Sequence, residues 1–97
     1  MTRVFHPEAR TEYLESVRYY TQINAALGRR FSAAVERVIA GILEDPQRWR
    51  LCRGGVRRRV LRQFPYAIFY RPAGDAVFFL AVAHCSREPE YCRHRAP

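Results

Sequence analysis

The sequence predicts an α+β fold, β-α-α-β-β-β, with a helix hairpin packed on one face of a small antiparallel sheet. Three observations predict it. Apolar residues recur at three- and four-residue steps through residues 9–43, which is helical spacing. From Val56 onward the apolar residues are β-branched and aromatic and alternate or run together, which is strand patterning. Asp45-Pro46 stands near the switch between the two regimes, where the residue before proline avoids helical geometry.

Each element has its own local cause. Residues 2–5 (TRVF) read as a short strand. His6-Pro7-Glu8 reads as a helix start, because proline fits the first helical position and glutamate favours the positive dipole end. Ala9, Tyr13, Val17, Tyr20, Ile23 and Leu27 then form one apolar face, and Gly28 is expected to stop the helix. Phe31, Ala34, Val35, Val38, Ile39, Ile42 and Leu43 form the stripe of a second helix. Residues 46–55 form a basic connector, with Trp49 expected to anchor it on the core and Gly54-Gly55 releasing the chain into strand. Val56, Val60 and Phe64 share a parity with Arg58 and Arg62, and Arg57, Arg59 and Leu61 share the other. Pro65 breaks that strand, Tyr66–Tyr70 form the next, and residues 71–75 supply a hairpin turn. Ala76–Ala83 is apolar on both parities, the mark of a central strand covered on both faces. One helical layer covers one face only. Val77, Phe79 and Phe69 are therefore expected to be covered by the C-terminal tail or by a partner.

A chain of 97 residues is expected to make one domain over 1–97. Its 48% hydrophobic content excludes a disordered chain. No run reaches the roughly 18 apolar residues of a membrane span, and the N-terminus lacks a secretory h-region. The expectation is a soluble cytoplasmic protein without a membrane role. Cys52, Cys85 and Cys92 are odd in number and lack CxxC spacing, against a disulfide framework. His84, Cys85, Cys92 and His94 match no common zinc spacing, so neither metal nor cofactor is expected.

Charge is the informative quantity. Every one of the 17 basic residues is arginine. Residues 1–46 carry six arginines and six acids, which cancel; residues 47–97 carry eleven against Asp75, Glu88 and Glu90. The whole net charge of +8 lies in the second half. It calls for an acidic partner, either nucleic acid or an acidic protein segment.

Five stretches carry a resemblance. Phe5-His6-Pro7-Glu8-Ala9 is similar to the F-x-P-E-A opening of RelE/ParE family toxins. Leu27-Gly28 with Phe31 resembles the family's helix junction, and Asp45-Pro46 with Trp49 its exit from the second helix. Gly55, Arg57-Arg58 and Phe64-Pro65-Tyr66-x-Ile68-x-Tyr70 resemble its central hairpin. Ala81-Val82-x-His84-x-x-Arg87-x-Pro89-x-Tyr91 resembles its closing strand and tail. Cys92 departs from the pattern where the family often has tryptophan, which thins the expected tail anchor.

The resemblance implies a type II toxin that arrests growth and is neutralised by a cognate antitoxin in a hetero-oligomer. Its target would be DNA gyrase, for a ParE-like poison, or the ribosome with mRNA, for a RelE-like endonuclease. The ParE-like branch is preferred on the opening, the hairpin and the tail, and it requires no enzyme activity. A nuclease would need phosphate clamps, for which Arg59, Arg62 and Arg87 are candidates, and proton carriers, for which His84 and Tyr91 are candidates. For His84 the plainer reading is a strand-end histidine bonded to backbone; for Tyr91 it is tail packing. Arg57, Arg58, Arg59, Arg62 and Arg87 are candidates for binding target or antitoxin, though the first three cannot all face one way on a strand. A basic nucleic-acid-binding domain without toxicity is the third reading, and no helix-turn-helix or RNA-binding signature supports it.

Overall fold

In the computed structural model, which describes residues 1–97, the chain runs β1 (Thr2–Phe5), α1 (Pro7–Ile23), α2 (Ala25–Glu44), β2 (Arg57–Val60), β3 (Tyr66–Ala73) and β4 (Ala76–His84). The sheet order is β1-β4-β3-β2. β2, β3 and β4 pair antiparallel as expected, while β1 lies parallel to β4, so the sheet is mixed. The helices and two intervening strands separate β1 from β4 in sequence. A connection that long lets strands run in the same direction.

The helix starts follow from capping. The His6 ring Nδ1 accepts the Glu8 N–H at 3.1 Å, with Pro7 at the first helical position. The junction differs from the expectation at Gly28. α1 ends at Ile23, and Asn24 is extended (φ −164°), closing one helix and opening the next. Its side-chain oxygen accepts the Ala26 and Leu27 N–H groups at 2.8 and 3.3 Å. Asparagine is among the best residues for that cap. Gly28 lies inside α2, where a Cβ would sit 2.0 Å from Thr21 Oγ1. The glycine permits close helix approach; it does not end a helix. With the turn moved forward, Ile23 sits at the hairpin tip and is exposed, although its spacing placed it on the apolar face. Asp45 ends α2 as expected.

Two apolar clusters sandwich the sheet. Phe31, Val35, Ile39 and Ile42 of α2 pack on Ile68, Tyr70, Val77, Phe79 and Val82, with Tyr13, Val17 and Tyr20 of α1 alongside. Burying each of these larger side chains contributes on the order of 2 kcal/mol. On the other face Val56, Ala67, Phe69, Leu80 and Ala83 are covered by Cys92, with Tyr91 and Ala96 at the rim. The tail is therefore the cover. Val77 and Phe79 are not beneath it: they face the helices. Tyr70 pairs with Phe79 and Phe69 with Ala81, so Leu80 is an extra residue in the ladder. Such a bulge reverses which face later side chains occupy. Val82, not Ala81, continues the helix-side row. Cys92, the departure expected to weaken the tail, is fully buried, and burial pushes its thiol up to about 11.

Candidate functional site

β4 has nine residues and β1 only four, so β4 runs past its neighbour with backbone groups to satisfy. Groups outside the strands complete that edge. The His6 N–H donates to the Phe79 carbonyl at 3.0 Å, and Arg95 Nη1 donates to the Leu80 carbonyl at 2.9 Å. The Val82 N–H donates to Glu12 Oε1 at 3.1 Å. Arg95 also pairs with Glu12 and Glu8, each at 3.1 Å, with its side chain 5% exposed. Tyr91 donates its hydroxyl to Glu12 Oε2 at 2.6 Å. The Glu12 hydrogen bond, aided by burial, raises the Tyr91 phenol above its ordinary value. Arg87 and Arg95 lie 4.6 and 5.0 Å from its ring centre. Glu12 thus ties α1, β4 and the tail together.

His84 is spent in a similar way. Its Nδ1 accepts the Ser86 N–H at 3.1 Å and lies 2.8 Å from the Ser86 hydroxyl, closing the turn that follows β4. His84, Arg87 and Tyr91 share a cleft of about 240 Å³, but its α1 wall carries Glu12 and Glu15. Two carboxylates at the wall disfavour a phosphate.

The arginines of β2 alternate, as strand geometry requires. Arg57 donates to the Trp49 carbonyl and the Gln47 side chain, both at 2.7 Å, which fixes the connector. Arg58 turns to the opposite face, donates to the Cys85 carbonyl and lies over Phe69. Arg59 returns to the helix side, with its guanidinium carbon 3.6 Å from the centre of the Trp49 ring. Arg48 approaches the same ring at 4.7 Å. Burial, and then the Arg48 charge, lower the Arg59 pKa. Trp49 is half-buried against the helix-side cluster, the anchor expected of it.

Arg59 and Arg62 line a second cleft, about 230 Å³, between α2 and β2. Arg37 of α2 completes its cationic rim, and Ala34, Val38, Val60 and Leu61 give it an apolar wall. The structure thus brings together His84, Arg87 and Tyr91, brings together Arg59 and Arg62, and separates the two groups. β3 lies between the strand that ends at His84 and the strand that carries Arg59, two inter-strand steps or roughly 10 Å of sheet. Sequence reasoning missed Glu12, Arg95 and Arg37. One signal for the first two existed: an apolar strand of eight residues opposite a strand of four leaves an edge that other groups must satisfy.

No three of the histidine, cysteine and acidic side chains gather into a metal-binding group, and no helix is long and apolar enough to cross a membrane. Residues 4–89 match the family described as "ParE toxin of type II toxin-antitoxin system, parDE". Among solved structures, a chain of the chromosomal ParDE TA system from P. aeruginosa shares the fold. Its TM-score is 0.64 at 17% sequence identity, over 87% of this chain and 95% of that one. No curated protein sequence matches. The β-α-α-β-β-β order and a match spanning all but the two ends of the chain lead to one assignment: the chain belongs to the ParE toxin family of type II toxin–antitoxin systems.

Proposed function

We propose that this chain arrests growth by binding and poisoning DNA gyrase in the cytoplasm, and that a cognate antitoxin neutralises it. One observation supports a binding toxin over a nuclease. The five candidate nuclease residues fall into two clefts, and the proton carriers lie in the one walled by Glu12 and Glu15. RNA cleavage by a ribose 2′-hydroxyl needs a proton acceptor and phosphate-binding cations converging on one phosphorus. Here the Tyr91 hydroxyl already donates to Glu12, and a raised phenol pKa leaves almost no phenolate to act as a base. Binding a protein target requires no such convergence. The basic second half of the chain suits both an acidic antitoxin and a gyrase–DNA complex.

The test uses purified protein in two assays. The expected result is inhibition of gyrase supercoiling, with intact mRNA in a purified translation system. Codon-phased mRNA cleavage that disappears in Tyr91→Phe would overturn the reading and install a ribosome-dependent endonuclease.

A further inference from the structure

The face of the sheet that the tail covers gathers positive charge from four separate stretches of the chain. Arg50 and Arg53 of the connector and Arg58 of β2 line a cleft of about 500 Å³ beside the tail. Arg93 of the tail and Arg71 of β3 close on the Gly54-Gly55 turn next to it. Both glycines have positive φ, 70° and 77°, a conformation that costs glycine little. A Cβ at Gly54 would run into the Arg93 side chain, and one at Gly55 would lie 3.4 Å from Arg71 Nε. The bare turn is what lets these two guanidinium groups approach the connector.

Little within the chain offsets these charges. Glu88 and Glu90 are the two carboxylates of the cleft, against five arginines in and around it. One ion pair forms there, Arg53 with Glu90 at 3.9 Å, and with Arg53 83% exposed it contributes little. Arg58 donates to the Cys85 carbonyl, which holds the group without neutralising it, and its buried Nε has no partner. Arg50, Arg71 and Arg93 form no ion pair. The cleft at His84 and Tyr91 has the reverse balance, Arg87 facing Glu12 and Glu15. Like charges that the fold brings together repel one another, and such a patch suits a polyanion.

We infer that this face binds the sugar–phosphate backbone of duplex DNA, with Arg50, Arg53 and Arg93 on the phosphates. The choice of DNA rests on the gyrase reading above, since gyrase holds a duplex beside which its poison would lie. The lining favours nucleic acid over protein: apart from Cys52 and Pro89, every residue of the cleft is charged. A protein partner needs large apolar or aromatic anchors seated in a pocket. A duplex is favoured over a single strand because the aromatic rings of the tail and connector are already engaged. Arg87 and Arg95 lie against Tyr91, and Arg48 and Arg59 against Trp49. Single-strand binders need open rings on which bases stack. Contacts to phosphate alone carry no sequence preference.

The experiment titrates the purified full chain onto a short labelled DNA duplex of arbitrary sequence. Single-stranded DNA, duplex RNA and polyglutamate serve as comparisons. For three phosphate contacts the affinity for the duplex should fall about 40-fold between 50 and 200 mM salt. Arg50→Glu and Arg53→Glu should each weaken binding roughly tenfold and flatten the salt slope by about one. Both side chains are exposed, so folding is spared. Arg30→Glu makes the same change in net charge near the start of α2, far from the connector, and should alter binding little. Glu88→Gln and Glu90→Gln should each tighten binding roughly threefold, a gain that misfolding does not produce. No binding at low salt, unchanged affinity in Arg50→Glu and Arg53→Glu, or an equal loss in Arg30→Glu would overturn the inference. Tighter binding to any of the three comparison ligands would overturn it too. A gyrase supercoiling assay beside the titration separates the two readings. Inhibition by a chain that does not bind DNA leaves the proposed function standing and removes this inference. DNA binding without inhibition of gyrase keeps the DNA surface and removes the proposed function.

Discussion

The two edges of the sheet solve the same problem in opposite ways. At the β4 edge, Glu12, Arg95 and the His6 N–H supply partners for the backbone that β1 leaves uncovered, and Tyr91 bonds to Glu12. At the β2 edge, the connector covers two residues' worth of ladder and then stops, with arginines around the gap that have no acid to meet. A closed edge is part of the fold. An edge left open, with like charges gathered on it, costs the isolated protein stability and is retained where something binds. The difference separates Tyr91 and Arg95, which bond to other parts of the chain, from Arg59 and Arg62, whose charges meet no acid.

Glu12→Ala should destabilise the protein strongly. It removes the acceptor of Val82 N–H, Tyr91 and Arg95 and leaves a guanidinium with 5% exposure short of one of its two carboxylates. Breaking such a buried pair costs about 3 kcal/mol, a large share of the margin of a chain this small. Chemical denaturation should show it as a lowered midpoint, with the tail exchanging hydrogen early. A loss near zero would mean the β4 edge is not closed by Glu12.

Tyr70→Phe should act in the opposite direction. The ring is fully buried, and its hydroxyl has no hydrogen-bond partner. Removing an unsatisfied buried group should stabilise the protein by about 1 kcal/mol. Alkaline unfolding gives a second readout. Burial pushes the Tyr70 phenol from 10.0 up to about 12, so the folded state holds the proton more tightly than the unfolded state. That contribution is complete below pH 10.0 and is lost as pH rises toward about 12. The advantage of Tyr70→Phe should therefore widen over that window. A constant gap would show that the phenol is hydrated in the folded state.

Tyr91→Phe is next in size. It deletes one hydrogen bond to a carboxylate at a half-buried site, worth about 1 kcal/mol. The tail should loosen slightly and toxicity should persist at ordinary expression. Loss of toxicity with an unchanged melting curve would move Tyr91 from structure to chemistry.

What the sequence made legible follows the same division. Element order, the helix start at Pro7, the end at Asp45 and the alternation of Arg57, Arg58 and Arg59 depend on neighbouring residues and were readable. The helix junction was misplaced because glycine and asparagine both end helices, and only packing against Thr21 tells what Gly28 does. The bulge at Leu80 was hidden because every residue from Ala76 to Ala83 is apolar, so a change of face leaves no mark in the pattern. Of the candidate site, the residues were visible and their grouping was not. Whether Arg59 and Tyr91 meet depends on strand order and on which sheet face the tail covers, and the second is set by long-range packing.

Arg37→Ala and Arg62→Ala each remove an exposed charge that forms no ion pair, so the loss of contacts is slight and folding stability should stay within about 0.5 kcal/mol of the parent. Arg37, Arg59 and Arg62 line one cleft without an acid, and removing one of three like charges relieves repulsion. Any change should therefore be a gain, largest at low ionic strength and fading as salt screens the remaining pair. The same substitutions at Arg95 should be strongly destabilising at every salt concentration, because that guanidinium bonds to Leu80, Glu12 and Glu8. Melting curves of Arg37→Ala, Arg62→Ala and Arg95→Ala across a salt series decide the matter. A salt-independent loss at Arg37 or Arg62 as large as that at Arg95 would show that the β2 edge is structural too, and the division between the two edges would fall.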